Sequence, residues 1–288
     1  MADLPRPQTG WPDPVPRTAR RPAMAELVGT WRRSLMLWTD GLRDTNTDVT
    51  WVQGRSWYAD LRQPANRPDF TGTHCLRDLT PRQLIWMAGQ QAFAGRLAHD
   101  PADPACFTWG RIMDLEPSTG CPDTGWLHME NGTLVERGRL LPYLEHWHRD
   151  PRGAPAATGA LCLRDQSSGR RGLLVRVDDT FAYARARPHP LVEAAVLPDI
   201  VAKADPRTAQ DLLDCEVSVG RVTAGGWLIE RSSLPFREGF RLDSPCGAGA
   251  GNGLRTSDVL PDGTPVSRGW DTVGGDGDPE LFAALLVQ

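Results

Sequence analysis

The sequence predicts an all-β protein: two small antiparallel barrels in tandem, produced by an internal duplication. Three observations carry this expectation. Turn formers are abundant, with 29 Gly and 25 Pro in 288 residues. The apolar segments are short and separated by turn signals, the pattern of sandwiches and barrels. Motifs of the first half return in order in the second. A hydrophobic fraction of 40% and a charged fraction of 24% fit a globular chain.

Residues 1–24 carry six prolines and read as an extended arm, in which Trp11 can dock on the body. Domains are expected over 25–150 and 151–288, the second with a Gly-rich C-terminal segment. From Leu27 the pattern is strand-like, with Trp31, Arg33, Leu35 and Leu37 on one face. A turn over 39–47 leads to a second strand over 49–62, then a loop over 63–78. Thr80-Pro81 can open a helical turn, and 84–97 is ambiguous between strand and helix. Short strands are expected over 107–114, 125–130, 133–136 and 143–148, and a linker over 150–159. Residues 244–277 read as a Gly-rich tail, and 281–287 as a closing strand or short helix.

The repeat rests on order and spacing. Gly29-Thr-Trp is answered by Gly159-Ala-Leu. Trp57 and Pro64 match Phe181 and Pro188 at an offset of 124. Thr80-Pro81-Arg82 and Gly95-Arg96-Leu97 match Asp205-Pro206-Arg207 and Gly220-Arg221-Val222 at 125. Gly125-Trp126-Leu127 matches Gly226-Trp227-Leu228 at 101.

A Gly-x-Trp opening a first strand, followed by many short antiparallel strands, resembles the lipocalin-like superfamily, in which the Trp closes one end of a barrel. Thr47-Asp48, Tyr58-Ala59-Asp60-Leu61-Arg62, Ala92-Phe93-Ala94-Gly95, Thr108-Trp109 with Asp114, Leu134-Val135-Glu136-Arg137-Gly138 and Tyr143-Leu144-Glu145-His146-Trp147 resemble a narrower family. It is the fungal Hri proteins, which interact with a casein kinase and have two lipocalin-like domains. Gly172-Leu-Leu-Val-Arg-Val177 looks like the opening strand of its second domain. The resemblance spans roughly residues 27–245. It implies the fold and a tendency to bind partners, and supplies no catalytic residues.

Several function classes fall away. No apolar run of about 18 residues is present to make a transmembrane helix. A net charge of −4 argues against a general nucleic-acid binder. Lys203 is the only lysine, so Schiff-base chemistry has one candidate. The six cysteines lack metal-ligand spacing, and the N-terminus lacks a secretory pattern, so a cytoplasmic protein with reduced thiols is expected.

The candidate site residues come from strand alternation. Trp126, His128 and Glu130 share a face; inside a barrel, His128 and Glu130 would form an acid–base pair beside an aromatic wall. The plainer alternative turns Leu127 and Met129 to the core and His128 to water. Tyr58, Asp60 and Arg62 share a face, where Arg62 can hold a carboxylate and Tyr58 can donate; Tyr183, Arg185 and Arg187 are their expected analogues. Tyr143, Glu145 and Trp147 form a third set. His146 and His148, on its other face, are a weak metal or haem pair. The Gly-rich run 247–253 imitates a phosphate loop without its Lys-Ser/Thr. The expected catalytic residues are His128, Glu130, Tyr58 and Arg62, with Trp57, Asp60, Trp109, Arg111, Trp126, Tyr143 and Glu145 binding substrate. No metal and no cofactor are expected.

The function expected is a small-molecule-binding barrel, leaning to an enzyme that cyclises, isomerises or hydrates an apolar or aromatic substrate. The lean to catalysis is an analogy with related barrels. The alternatives are a non-catalytic protein-interaction module and a ligand carrier; a protein partner or homodimer stays open.

Overall fold

A computed structural model of the chain describes residues 19–151, 155–191, 195–243 and 253–287. Most of the expected arm, with Trp11, and the Gly-rich run before Gly253 lie outside these residues.

The first sheet contains β1 (Gly29–Trp38), β2 (Arg43–Asp44), β3 (Asp48–Gln53), β4 (Trp57–Gln63), β5 (Gln91–Asp100), β6 (Asp103–Asp114), β7 (Thr124–Glu130), β8 (Thr133–Gly138) and β9 (Tyr143–Arg149). Each main strand pairs with the next, and β1 also pairs with β9 from Trp31↔Arg149 to Trp38↔Tyr143. Eight strands thus close a barrel, and β2 extends one end of β1. Closure removes the exposed sheet edges.

The second sheet contains β10 (Thr158–Asp165), β11 (Arg171–Val177), β12 (Thr180–Arg185), β13 (Glu216–Thr223), β14 (Gly226–Ser232), β15 (Gly253–Val259), β16 (Pro265–Gly277) and β17 (Leu286–Val287). Its order is β14-β13-β12-β11-β10-β16-β15-β17. Residues 241–243 link its far ends by single bridges, Leu228↔Arg241 and Asp243↔Thr256. Going round from β10, the path repeats that of the first barrel, with its sixth strand shrunk to these three residues. The second unit is therefore a half-barrel closed by a short link.

This correspondence corrects several sequence expectations. The span 49–62 is two strands, because Gly54 donates to the Trp57 carbonyl and the chain reverses there. The stretch 84–97 is neither all helix nor all strand. Thr80 caps a helix, α2 (Pro81–Ala88), after the short α1 (Met24–Leu27); β5 then follows. Gly172–Val177 lies in the second strand of its unit, since β10 precedes it. β14 occupies the place of β6, so the partner of Trp227 is Trp109, and the Gly-Trp-Leu match to 125–127 is coincidental. The supposed tail contains β15 and β16. Their glycines hid them from a propensity reading: a Cβ on Gly275 would lie 2.1 Å from the Ala160 carbonyl oxygen.

The glycine and cap matches mark real equivalences, whereas Phe181 answers Tyr58 and not Trp57. Gly95 and Gly220 sit at register shifts in β5 and β13, where a Cβ would fall 1.9 and 2.0 Å from the facing carbonyl oxygens of Gly110 and Leu228. Asp205 caps α4 (Pro206–Leu212), which follows α3 (Leu197–Lys203), as Thr80 caps α2. Tyr58 pairs with Gly95, and Phe181 with Gly220. The structural analogues of Tyr58, Asp60 and Arg62 are thus Phe181, Tyr183 and Arg185, two residues earlier than expected.

Three apolar cores result. One fills the first barrel around Trp31, Trp51, Trp109 and Trp147. A second fills the other unit around Phe181, Trp227, Trp270 and Phe282. The third lies between the sheets, where Val52, Ala59, Leu61 and Ala94 meet Leu173, Val175, Ala182 and Val217 under α2, α3 and α4. Polar ties frame it: Arg67 donates to both Glu238 oxygens at 2.9 and 2.8 Å, and Gln63 and Gln90 donate to the Ser232 and Ser233 carbonyls, both at 2.9 Å.

Because this core is shared, Leu61→Ala is expected to cost about 2–5 kcal/mol and to lower the urea midpoint. Fluorescence and far-UV circular dichroism should then report one coincident transition. Two separated transitions would show that the units unfold independently.

Candidate functional site

An open cleft of about 1180 Å³ lies at the mouth of the first barrel. Its walls include β1, β6, β9 and the loop after β6; Arg170, Arg171, Arg187 and Leu191 complete it from the second unit. Arg187 ties the two walls together, donating to the carbonyls of Leu212 at 2.9 Å, Asp114 at 3.0 Å and Leu115.

Strand alternation builds the floor. Ala59 and Leu61 face the core between the sheets, so Tyr58, Asp60 and Arg62 point inward. Arg62 donates from Nε and Nη2 to the two Asp60 oxygens, both at 3.1 Å, and from Nη1 to Glu145 Oε1 at 3.2 Å. Arg33 donates to the same Glu145 oxygen at 2.6 Å and to Asp44 at 2.7 Å. Burial opposes the charge on Arg62, but Asp60 and Glu145 outweigh it and hold its pKa well above the usual value. The guanidinium also lies 5.2 Å from the Phe93 ring centre and 5.8 Å from that of Trp147. Truncating one member of such a buried network would strand the others' charges.

Glu136, on β8, stands directly opposite Glu145 on β9. The Tyr143 hydroxyl donates to Glu136 Oε1 at 2.7 Å, and the Trp147 indole donates to Oε2 at 3.1 Å. Burial first, and the facing Glu145 second, push the Glu136 pKa well above the carboxylate range. Burial and Glu136 also raise the Tyr143 pKa, so its phenol stays protonated. Glu145 Oε2 is buried without a hydrogen-bond partner, as is the Tyr58 hydroxyl. Toward the lip, Arg111 donates to Asp114 at 2.9 Å and Asp123 at 2.7 Å while covering the Phe93 ring. Burial raises the Asp114 pKa, with Arg111 partly offsetting it.

The structure thus gathers Tyr58, Asp60, Arg62, Trp109, Arg111, Tyr143 and Glu145 in and around one barrel mouth. It separates the others from them. Leu127 is in the barrel core and Met129 packs against it, so Trp126, His128 and Glu130 lie on the outer face. His128 is nonetheless buried there, with Nε2 2.7 Å from Glu130 Oε1 and Nδ1 unpartnered. Trp126 donates to Asp103 at 2.8 Å, and Trp57 packs on the core between the sheets. Sequence reasoning missed Arg33, Asp44 and Glu136 as parts of the site. Glu136 had a signal: it alternates with the core residue Leu134, as Glu145 does with Trp147. No group of three or more His, Cys, Asp or Glu side chains among the described residues is arranged to hold a metal ion.

In the second unit the equivalent place is blocked. Arg185 donates to Asp214 at 2.8 Å and lies 3.2 Å from Asp258. Arg237 reaches in from a single 3₁₀ turn to Glu216 at 3.3 Å and to the Ser257 carbonyl at 2.6 Å.

No protein-family model matches the chain, and no curated protein matches it. Among solved structures, the chain is similar to the uncharacterized protein YLR301w from Saccharomyces cerevisiae. The identity is 10% and the TM-score 0.49, over 86% of this chain and 98% of that one. The barrel architecture is consistent with a small-molecule-binding domain. No helix among the described residues is long and apolar enough to cross a membrane.

The raised Glu136 pKa gives a signed prediction. A raised folded-state pKa means that its contribution to stability is present below the unfolded value of about 4.3 and is lost as pH rises through the folded one. Glu136→Gln removes that titration. Wild type should therefore lose stability relative to the variant as pH rises above about 4.3, as measured by urea unfolding; parallel profiles would show that the Glu136 pKa is not raised.

Proposed function

We propose that this chain binds a small apolar or aromatic molecule at the mouth of its first barrel and assists a proton transfer there. The reactions that need such a step are isomerisation, cyclisation and hydration. The observation that carries this reading is the cleft itself. It exceeds the roughly 300–1,000 Å³ of common ligand pockets, and its floor is a preorganised polar network under aromatic walls. The phenol of Tyr143 lines the cleft, and its hydroxyl donates to Glu136, whose pKa burial raises toward proton exchange with it. Arg62, locked by Asp60 and Glu145, supplies a fixed positive charge beside the substrate. His128, Glu130 and Trp126 take no part in this reading, because they face away from the cleft.

Native mass spectrometry of freshly purified protein, followed by thermal-shift screening of aromatic small molecules, tests it. Wild type should retain or bind a ligand, and Met36→Trp, which fills the mouth, should weaken it. Absence of any cleft ligand refutes the reading. With a converted ligand in hand, Tyr143→Phe should retain binding but slow conversion by about 10²–10⁴-fold. Equal conversion by both proteins would remove Tyr143 from the proton step.

A further inference from the structure

We infer that the ligand of this cleft carries a protonated amine, or a similar N–H cation, seated on Glu145 Oε2. The inference rests on the reading above and names the chemistry of its ligand.

The floor presents an acceptor with nothing to accept from. Glu145 Oε1 takes hydrogen bonds from both Arg33 and Arg62, while Oε2 takes none, although the side chain is only 1% exposed and lines the cleft. Buried carboxylate oxygens are ordinarily satisfied; Glu136 opposite can offer this lone pair a neutral donor, and a cation entering from the cleft offers it a stronger, charge-assisted one. The neighbouring arginines are already committed. Arg62 uses Nε and Nη2 on Asp60, and Arg33 uses Nη2 on Asp44.

Charge selects the kind of donor. Arg33 and Arg62 face three carboxylates, Asp44, Asp60 and Glu145, even when Glu136 is left out of the count. Further out, Arg111 is shared between two more, Asp114 and Asp123. On the opposite wall Arg170 is bound to Asp214 and Arg187 to backbone carbonyls, while Arg171 stands exposed on the second unit. A carboxylate ligand would thus meet an excess of negative charge at the floor, whereas an ammonium would relieve it. The rings of Trp38, Trp109 and Tyr143 line the same space and favour a cation bearing an aromatic or apolar body.

Three probes of similar shape decide it by isothermal titration calorimetry on the full chain: tryptamine, indole-3-propionate and neutral 3-methylindole. Wild type should bind tryptamine at least about tenfold more tightly than indole-3-propionate, since a charge-assisted hydrogen bond is gained in one and a like-charge contact in the other. Glu145→Gln should abolish that preference. Equal or tighter binding of indole-3-propionate, or a preference that survives in the variant, overturns the inference while the small-molecule reading stands. Binding of none of the three overturns both. If Glu145→Gln does not fold, the wild-type ratio of amine to carboxylate decides the matter by itself.

Discussion

The structure depends on one packing constraint: neither sheet has a solvated outer face over its central strands. The outward side chains of β3, β4 and β5 are pressed against those of β11, β12 and β13, so these strands are buried on both faces. Small residues make the approach possible. Ala59, Ala92 and Ala94 on one side meet Ala182 and Ala184 on the other, and Val175 reaches Gly54 across the seam. A single barrel of about 120 residues buries a limited core, and sharing a third core adds burial that neither unit has alone.

That seam also positions the site. With Ala59 and Leu61 held outward, Tyr58, Asp60 and Arg62 have only the barrel interior to occupy. A guanidinium buried there is tolerable only with carboxylates around it, which explains Asp60 and Glu145 beside Arg62, and Asp44 beyond Arg33. The same seam brings the loops of the second unit over the mouth, where Arg187 holds the backbone of Asp114 and Leu115. The cleft is therefore a joint product of both units, although its polar floor belongs to the first.

The two units solve one topological problem differently. Arg62 and Arg185 occupy the same place on equivalent strands, each buried and each facing acids. In the first barrel the sixth strand, β7, is full length and paired on both sides. In the second that strand is three residues long, and the turn Pro235–Arg237 sends Arg237 into the gap. One mouth is open and the other is closed by a side chain. The repeat was readable where a backbone requirement imposes a residue, as at Gly95 and Gly220 or the caps Thr80 and Asp205. It misled where only composition matched, as at Gly125-Trp126-Leu127.

The sequence alone determined the class of fold. Turn spacing, the Gly-x-Trp opening and the returning motifs point to two tandem barrels, because turn chemistry and close backbone approach are local demands. It also placed Tyr58, Asp60 and Arg62 on one face and Tyr143, Glu145 and Trp147 on one face, since a strand's period is two. Which face looks inward was decided by tertiary packing. Alternation cannot orient a strand whose two sides are both buried, and so His128 read as a cavity residue while Glu136 passed unnoticed. Only the closed sheet, which sets β8 against β9 and β1 against β9, brings Glu136, Glu145 and Arg33 together from positions 33 to 145 in the chain.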